Sequence, residues 1–341
     1  MRLKTAILGA VIRDPLYPAV GLLLALCLLA AVTGTASPAQ AQIGNPAPLR
    51  IVVVGAPGGT SDLVARMLAE ALRTDLGRPI VVENRVGTNG RIAVDTLKSA
   101  TPDGTTMLLA PIAVAVIYPL VWKDLGYDPV RDIVPVAQVA TYEMALAVAA
   151  QHPARNLAEF VDWVKANPSQ ATYGTVSTGA LPHFAGTIFA QAAGVALLHV
   201  PYGGAGAVQA SLLGGQIAAA VSASSDFLAL HRAGSLRILA TSGSQRSRLL
   251  PDVPTFREQG FASVQATGWH GIFAPPKTPQ SAIDQLSAAV SNALRTPAVR
   301  DRMIALGVEP TPTTPEAFAG IIAADTEYWR RVIKATGFTT E

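Results

Sequence analysis

From residue 50 onward, the hydrophobic pattern alternates short β-branched runs with amphipathic stretches. Residues 50–54 (RIVVV) are typical of a buried strand. The next stretch places apolar residues on one helical face, namely Leu63, Val64, Met67, Leu68, Ala71 and Leu72. Further strands are predicted at 79–83 and 106–110, with a helix at 92–99 between them. This β-α-β-α-β order predicts a parallel sheet with right-handed crossovers.

A second series of alternating elements follows two extended stretches at 134–140 and 145–149. Asn156 is predicted to cap a helix, with Glu159 in the capping-box position. The strands and helices predicted after it lie at 172–174, 182–193, 197–200, 207–213, 217–221, 227–233 and 236–240. Because the chain contains two separate βα series, we predict two α/β domains, one for each series.

The last third of the chain is predicted to be mainly helical. A short helix at 255–259 precedes an extended segment at 266–274. Three helices follow: the first has a stripe from Ile283 to Leu294, and the second covers 297–306. Thr314-Pro315 opens the third with an N-cap followed by a proline. These helices are expected to return the chain to the first domain.

The first forty residues have the pattern of a secretory signal. Basic residues precede residues 19–32, a run of fourteen apolar or small residues that is too short to cross a bilayer comfortably. Ala39-Gln40-Ala41 matches a signal-peptidase site, which predicts cleavage after Ala41 and export from the cytoplasm. The alternative is an uncleaved N-terminal anchor.

Composition and charge narrow the possible functions of the exported part. Of the 341 residues, 50% are hydrophobic and only 14% are charged, which excludes intrinsic disorder. The predicted signal carries three basic residues and one acidic residue, so its removal lowers the formal charge from +3 to +1. No stripe of Lys and Arg predicts nucleic-acid binding. The single cysteine excludes a disulfide framework and a cysteine-rich metal site, and no metal or cofactor is expected.

Two small-residue loops between strands and helices are the candidate ligand site. They are 57–62 (PGGTSD) and 174–183 (GTVSTGALPH). Glycines allow a ligand to approach backbone N–H groups, and a helix N-terminus favours an anion. Such loops lie at the carboxyl ends of parallel strands, where α/β proteins bind ligands. The sequence contains no phosphate-binding P-loop, nucleophile elbow or helical zinc motif.

The chain resembles the Bug family of periplasmic solute receptors, which serve tripartite tricarboxylate transporters. The resemblance rests on motifs that occur in order between residues 50 and 337. They are PGGTSD (57–62), VVENR (81–85), PDG (102–104), YG (173–174), HVPYGG (199–204), LGGQ (213–216) and LPDVPT (250–255).

The resemblance implies a type II periplasmic-binding-protein fold, with two doubly wound α/β domains around a ligand cleft. The domains are expected at 42–139 with 268–341, and at 140–267. The implied function is a monomeric, non-enzymatic receptor that delivers a small carboxylate to membrane transporter subunits through transient contacts. The ligand-binding candidates are Gly58, Gly59, Thr60, Ser61, Asp62, Thr175, Ser177, Thr178, Gly179, His183, Tyr202 and Ser222. Trp269 resembles a further aromatic residue near the cleft.

Three departures from the family pattern point to an apolar cleft. Gly55-Ala56 precedes the first loop where relatives have an aromatic residue, and Ala218 and Ser222 stand where relatives carry aspartates. Residues 111–115 (PIAVA) are also unusually apolar. We therefore expect an aromatic or aliphatic carboxylate, held without an arginine clamp, rather than an amino acid.

Two alternatives to transport remain open from the sequence. An exported α/β hydrolase would use Ser177 with His183, although no third orienting carboxylate is evident. A sensor that signals to a partner would bind its ligand in the same way as a transport receptor.

Overall fold

The computed structural model describes residues 47–87 and 90–338, so the predicted signal segment lies outside the described residues. The strands are β1 Leu49–Val54, β2 Ile80–Arg85, β3 Thr106–Pro111, β4 Val134–Ala149, β5 Thr172–Thr175, β6 Leu198–Pro201, β7 Ala219–Ala223, β8 Leu236–Thr241, β9 Thr267–Ala274 and β10 Glu309–Pro310.

The α-helices are α1 Thr60–Leu76, α2 Arg91–Lys98, α3 Tyr118–Val121, α4 Pro129–Asp132, α5 Leu157–Ala166, α6 Leu181–Ala193, α7 Ala205–Leu213, α8 Ser224–Arg232, α9 Gln280–Arg295, α10 Pro297–Ala305 and α11 Pro315–Thr336. A π-helical stretch, Ala113–Ile117, leads into α3. Among the described residues, no helix combines the length and apolar character needed to cross a bilayer.

Both predicted βα series form parallel sheets. The strand order along the sheet path is β2-β1-β3-β9-β4-β7-β5-β6, and β8 and β10 also pair with β4. Strand β1 is parallel to β2 and β3, and β5 is parallel to β6 and β7. Antiparallel β9 and β4 join the two parallel groups. The six parallel strands therefore form two groups of three, one on each side of β9 and β4.

The two extended stretches predicted between residues 134 and 149 are one strand. The first part of β4 pairs with β9 as far as Glu143↔Thr267, and from Met144 onward it pairs with β7 and β8. Irregular register near Pro135, Gln138 and Leu146 increases the local twist. The polar residues at 141–143 do not end the strand, because backbone pairing with β9 continues through them.

Helix boundaries follow the predicted capping signals closely. The Asn156 side chain accepts a hydrogen bond from the Glu159 N–H at 2.9 Å, and Thr314 accepts one from Ala317 N–H at 3.2 Å. Gly77 ends α1 in the left-handed conformation at φ 59°. One residue of the predicted inner face is misplaced, since Leu63 is 37% exposed whereas Val64 is fully buried.

The helix predicted at 255–259 is wrong. Thr255 and Glu258 exchange the capping hydrogen bonds expected at a helix start. The Phe256 N–H, however, donates to Thr241 O on β8, and Thr255 forms a bridge with Thr241. Contact with the sheet therefore turns the chain, and Gly260 at φ 91° completes the turn.

Candidate functional site

A cavity of about 410 Å³ lies where the carboxyl ends of both parallel groups meet. All six parallel strands end at this cavity or within two residues of it, and the lining residues at these ends are Val54, Arg85, Pro111, Val176, Gly203 and Ser222. Its volume falls in the range of small-molecule sites. The topology therefore places a ligand-sized space where open α/β sheets bind ligands.

The first loop lines the cavity through the ligand-binding candidates Gly59, Thr60 and Ser61. Thr60 Oγ1 lies 3.0 Å from Ser225 Oγ and donates to Asp226 Oδ1 at 3.0 Å. Ser61 Oγ lies 2.9 Å from Nε2 of His270. Two adjacent hydroxyls of this loop thus contact residues far away in the sequence.

Gly58 and Asp62 do not line the cavity and instead stabilise the loop itself. The Gly58 N–H donates to Asp62 Oδ2 at 2.9 Å, and Gly58 has a φ of 79°. Arg66 also donates to Asp62 Oδ2 at 2.9 Å. Burial raises the pKa of Asp62, but the hydrogen bonds from Arg66 and Gly58 outweigh it and hold the pKa below its usual value.

The second loop and the start of α6 reach the cavity through Val176, Ser177, Ala180, Leu181 and Pro182. Thr175 is fully buried and does not line the cavity. Its hydroxyl donates to Ser177 O and lies 2.7 Å from His199 Nε2. Nδ1 of His183 accepts a hydrogen bond from the Gly179 N–H at 3.1 Å, and its ring stacks on His199 with centroids 4.1 Å apart. Thr175 and His183 therefore hold the loop rather than face the cavity.

Of the remaining sequence candidates, one lines the cavity and the others do not. Ser222 lines the cavity and donates to Asp226. Thr178, Gly179 and Tyr202 are outside the lining, and the Tyr202 hydroxyl pairs with Ser211. Trp269 is also outside it and donates from Nε1 to Asp325 at 2.8 Å.

The hydrolase pairing does not form in this geometry. Ser177 Oγ donates weakly to Thr178 O at 3.3 Å and lies 3.4 Å from the Tyr118 hydroxyl. The acceptor nitrogen of His183 is already used by Gly179. Burial, and then the neighbouring His199, lower the pKa of His183 to about 4, so it is neutral near pH 7.

Asp226 is a cavity residue that the sequence analysis missed. It lies in the first turn of α8, and its oxygens accept hydrogen bonds from Thr60 and Ser222. Burial raises the pKa of this carboxyl, and the two hydroxyls partly oppose the rise. The cavity therefore contains a carboxyl four residues after Ser222, although Ala218 and Ser222 stand where relatives carry aspartates. The Ser-Ser-Asp run at 224–226 before a predicted helix was the available signal.

Three further cavity residues were not among the candidates. His270 is 3% exposed on β9, and Tyr142 on β4 stacks obliquely beside it with ring centroids 4.7 Å apart. Burial raises the pKa of Tyr142, so its hydroxyl stays a neutral donor. Arg85 forms an ion pair with Glu83, and its buried Nε has no partner among the described residues. Arg85 gives the described lining a positive charge that neither loop supplies.

Five helices begin at the cavity without a side-chain cap. Their N-cap residues all line it, and they are Gly59, Gly90, Ala180, Gly204 and Ala223. In the described part of the chain, five other helices begin away from the cavity. Side chains cap α4, α5 and α11, whereas α9 and α10 have no side-chain cap. Uncapped N-termini leave backbone N–H donors available and create a positive potential. The cavity can thus hold an anion without a metal, and the described residues form no cluster of metal ligands.

One wall of the cavity is apolar, as the sequence predicted. Pro111, Ile112 and Ala113 line it where β3 passes into the π-helical stretch. The Tyr127 hydroxyl donates to Val114 O at 2.8 Å and ties this stretch down. The cavity therefore combines polar loops with an apolar wall, which suits a carboxylate with a hydrocarbon body.

Comparison with known proteins identifies similar chains over most of the length. The family described as "Tripartite tricarboxylate transporter family receptor" matches residues 64–338. Protein BugT of Bordetella pertussis is 32% identical over 320 residues, covering 93% of this chain and 97% of BugT.

Solved structures show the same fold. The periplasmic binding protein BugD is 31% identical with a TM-score of 0.80, over 86% of this chain and 99% of BugD. Rpa4515 of R. palustris, solved with adipate, is 27% identical with a TM-score of 0.83 over the same shares of the two chains. MatC of Rhodopseudomonas palustris, solved with bound malate, is 29% identical with a TM-score of 0.78, over 84% of this chain and 99% of MatC.

Proposed function

The chain belongs to the tripartite tricarboxylate transporter receptor family, whose members are periplasmic solute-binding receptors and not enzymes, and we propose that it binds a small aliphatic or aromatic carboxylate in the cavity described above. The observation that carries this proposal is the convergence of five uncapped helix N-termini on one cavity. The solved relatives with malate and adipate support a ligand of that size and charge.

One carboxylate of the ligand lies between the starts of α1 and α6. Backbone N–H groups of both helices and the hydroxyls of Ser61 and Ser177 are its donors, whereas the Thr60 hydroxyl already donates to Asp226. The hydrocarbon part of the ligand packs on the wall formed by Pro111, Ile112 and Ala113. This arrangement uses the charge of helix ends and hydroxyl dipoles, and Arg85 contributes at a distance.

The two proposed domains, 42–139 with 268–341 and 140–267, close on the ligand. The hydrogen bonds from Thr60 to Ser225 and Asp226 join residues of the two domains, so they belong to the closed form. A ligand that contacts both small-residue loops stabilises the closed form, because it makes more contacts there than in an open form. The hinge lies where β4 changes its pairing partner after Glu143 and where β9 begins at Thr267.

In the proposed pathway the chain is cleaved after Ala41 and acts as a periplasmic monomer. It then hands its ligand to the membrane subunits of a tripartite tricarboxylate transporter through transient contacts. Uptake of the labelled ligand is expected to require both the receptor and those subunits. Uptake that persists after deletion of the receptor gene would show that this chain is not the receptor of that transporter.

Binding is tested with ligands matched in size but not in charge. Adipate, malate and benzoate are titrated by calorimetry and thermal shift, with neutral adipamide as the control for adipate. At least one carboxylate is expected to raise the melting temperature, and adipamide is not. Scattering with the bound carboxylate is expected to show a smaller radius of gyration. Equal shifts with adipate and adipamide, or no shift with any carboxylate, would contradict an anion site.

A further inference from the structure

His270 lies at the junction of the two parallel groups, on a strand whose two faces differ. Side chains alternate along β9, so His270 lies on the same face as Ile272, which packs in the core with α1 and α9. Trp269 and Phe273 lie on the other face and contact Phe318 of α11. This alternation directs the imidazole toward the start of α1, where Ser61 is located.

The two imidazole nitrogens of His270 have different surroundings. Nε2 lies 2.9 Å from Ser61 Oγ. Nδ1 is buried and has no hydrogen-bond partner among the described residues. Burial lowers the pKa of this histidine to about 3, so the ring is neutral and carries one proton. That proton is on one nitrogen or the other, and the choice decides what Ser61 offers to a ligand.

The orphaned nitrogen distinguishes the two tautomers. With the proton on Nδ1, a buried N–H has no acceptor, and such orphaned donors are rare in proteins. With the proton on Nε2, this N–H donates to Ser61 Oγ, and only an acceptor lone pair on Nδ1 is unpaired. The second arrangement also leaves the Ser61 hydroxyl proton without a protein acceptor at this contact.

We propose that the Nε2–H of His270 donates to Ser61 and thereby directs the Ser61 hydroxyl proton toward the ligand carboxylate. This inference rests on the proposed function and deepens it. His270 is a positioning residue: it contributes no charge, but makes Ser61 a donor rather than an acceptor at the start of α1. The cavity then recognises an acceptor-only group, a carboxylate, and disfavours a ligand group that must donate to Ser61.

The tautomer is measured directly, without any ligand. Nitrogen-15 NMR of the protein with labelled histidine distinguishes Nε2–H from Nδ1–H rings, and His270→Gln assigns the resonance by its loss. The expected result is a neutral Nε2–H ring in His270. An Nδ1–H tautomer overturns the proposal, and this result does not depend on which carboxylate binds.

The effect on binding is measured with adipate and malate as probes. Gln carries an amide N–H near the position of Nε2, whereas Leu removes the donor at similar size. His270→Leu and Ser61→Ala are each expected to weaken binding about tenfold, the scale of one hydrogen bond to a charged group. His270→Gln is expected to recover most of the loss, and thermal melts check that each variant folds.

The double variant Ser61→Ala/His270→Leu decides whether the two residues act together. Its loss is expected to equal that of Ser61→Ala alone, because His270 acts only through Ser61. Additive losses, or equal losses for His270→Gln and His270→Leu, overturn the positioning role. If the wild type binds neither probe nor any other carboxylate, the proposed function fails, and the NMR result still tests the tautomer.

Discussion

The two small-residue loops at the cavity have similar composition but use their side chains in opposite ways. In the first loop, Thr60 and Ser61 extend to Asp226 and His270, which lie more than 160 residues away in the sequence. In the second loop, Thr175 and His183 bond within their own segment or to the adjacent β6. The Thr60 and Ser61 residues of the first loop therefore line the cavity, whereas Thr175 and His183 of the second loop lie outside its lining.

The difference shows that residue type alone does not identify a ligand contact. A hydroxyl or imidazole whose hydrogen bonds are all used within a loop stabilises that loop and has little left for a ligand. Substitutions in the second loop should therefore change stability, and those in the first should change affinity. Four predictions test this division.

The largest expected effect is a loss of stability in mild acid through the second loop. Burial lowers the pKa values of His183 and His199 to about 4, below the 6.5 of an unperturbed histidine. Between these values the unfolded state binds more protons, so the stabilisation is complete above pH 6.5 and falls as the pH drops to 4. Protonation of each histidine should lower the free energy of unfolding by on the order of 2 kcal/mol.

Urea unfolding from pH 7 to 4 measures the summed loss, to which His270 beside the first loop also contributes because burial lowers its pKa to about 3. His183→Asn should remove the share of one second-loop histidine. In the first loop Asp62 behaves differently, since its lowered pKa keeps its contribution intact until the pH falls below about 4. An unfolding free energy that stays constant from pH 6.5 to 4.5 would contradict the assignment of the histidine pair.

Replacing His183 should destabilise the protein more than it weakens binding. His183→Leu removes the acceptor of the buried Gly179 N–H, which should cost about 2 kcal/mol at pH 7. His183→Asn is the matched control, because its side-chain oxygen can accept the same hydrogen bond. A variant of normal stability with greatly weakened carboxylate binding would instead identify His183 as a ligand contact.

Gly59→Val should abolish most binding and leave the fold largely intact. Gly59 lines the cavity at φ −76°, and a Cβ there meets only Ala56 O at 3.4 Å. A branched side chain would block backbone approach, and calorimetry is expected to show at least about tenfold weaker binding. Gly58→Val is the control, since its φ of 79° should cost about 1–2 kcal/mol of stability. If Gly59→Val and Gly58→Val lowered stability equally and weakened binding equally, Gly59 would have no special role at the ligand.

The smallest expected effect is that of Arg85→Gln. Because helix N-termini and hydroxyls supply the donors, and Arg85 already pairs with Glu83, affinity for the bound carboxylate should change less than about threefold. Calorimetry at low and physiological salt measures it. A loss of tenfold or more would show that a guanidinium holds the carboxylate, contrary to the expectation from the sequence.

Much of the fold was predictable because its signals are local. Periodicity and capping residues such as Asn156 and Thr314 identified both βα series and the main helices. One error was 255–259, where a local capping pair was overridden by contact with β8, and another was the division of β4 into two stretches. The family resemblance was also readable, because several motifs in a fixed order are far more specific than any one motif.

The sequence by itself determined the order of the main elements, the parallel character of both groups and the two loops proposed to hold the anion. Only the tertiary structure decided which side chains reach the cavity. Asp226, His270 and Tyr142 line the cavity but were not among the candidates, and the candidates Thr175 and His183 lie outside the lining, because pairing between distant strands sets where each side chain points. His270 faces Ser61 only because β9 pairs with β3 in one register, and a shift by one residue would turn Trp269 there instead.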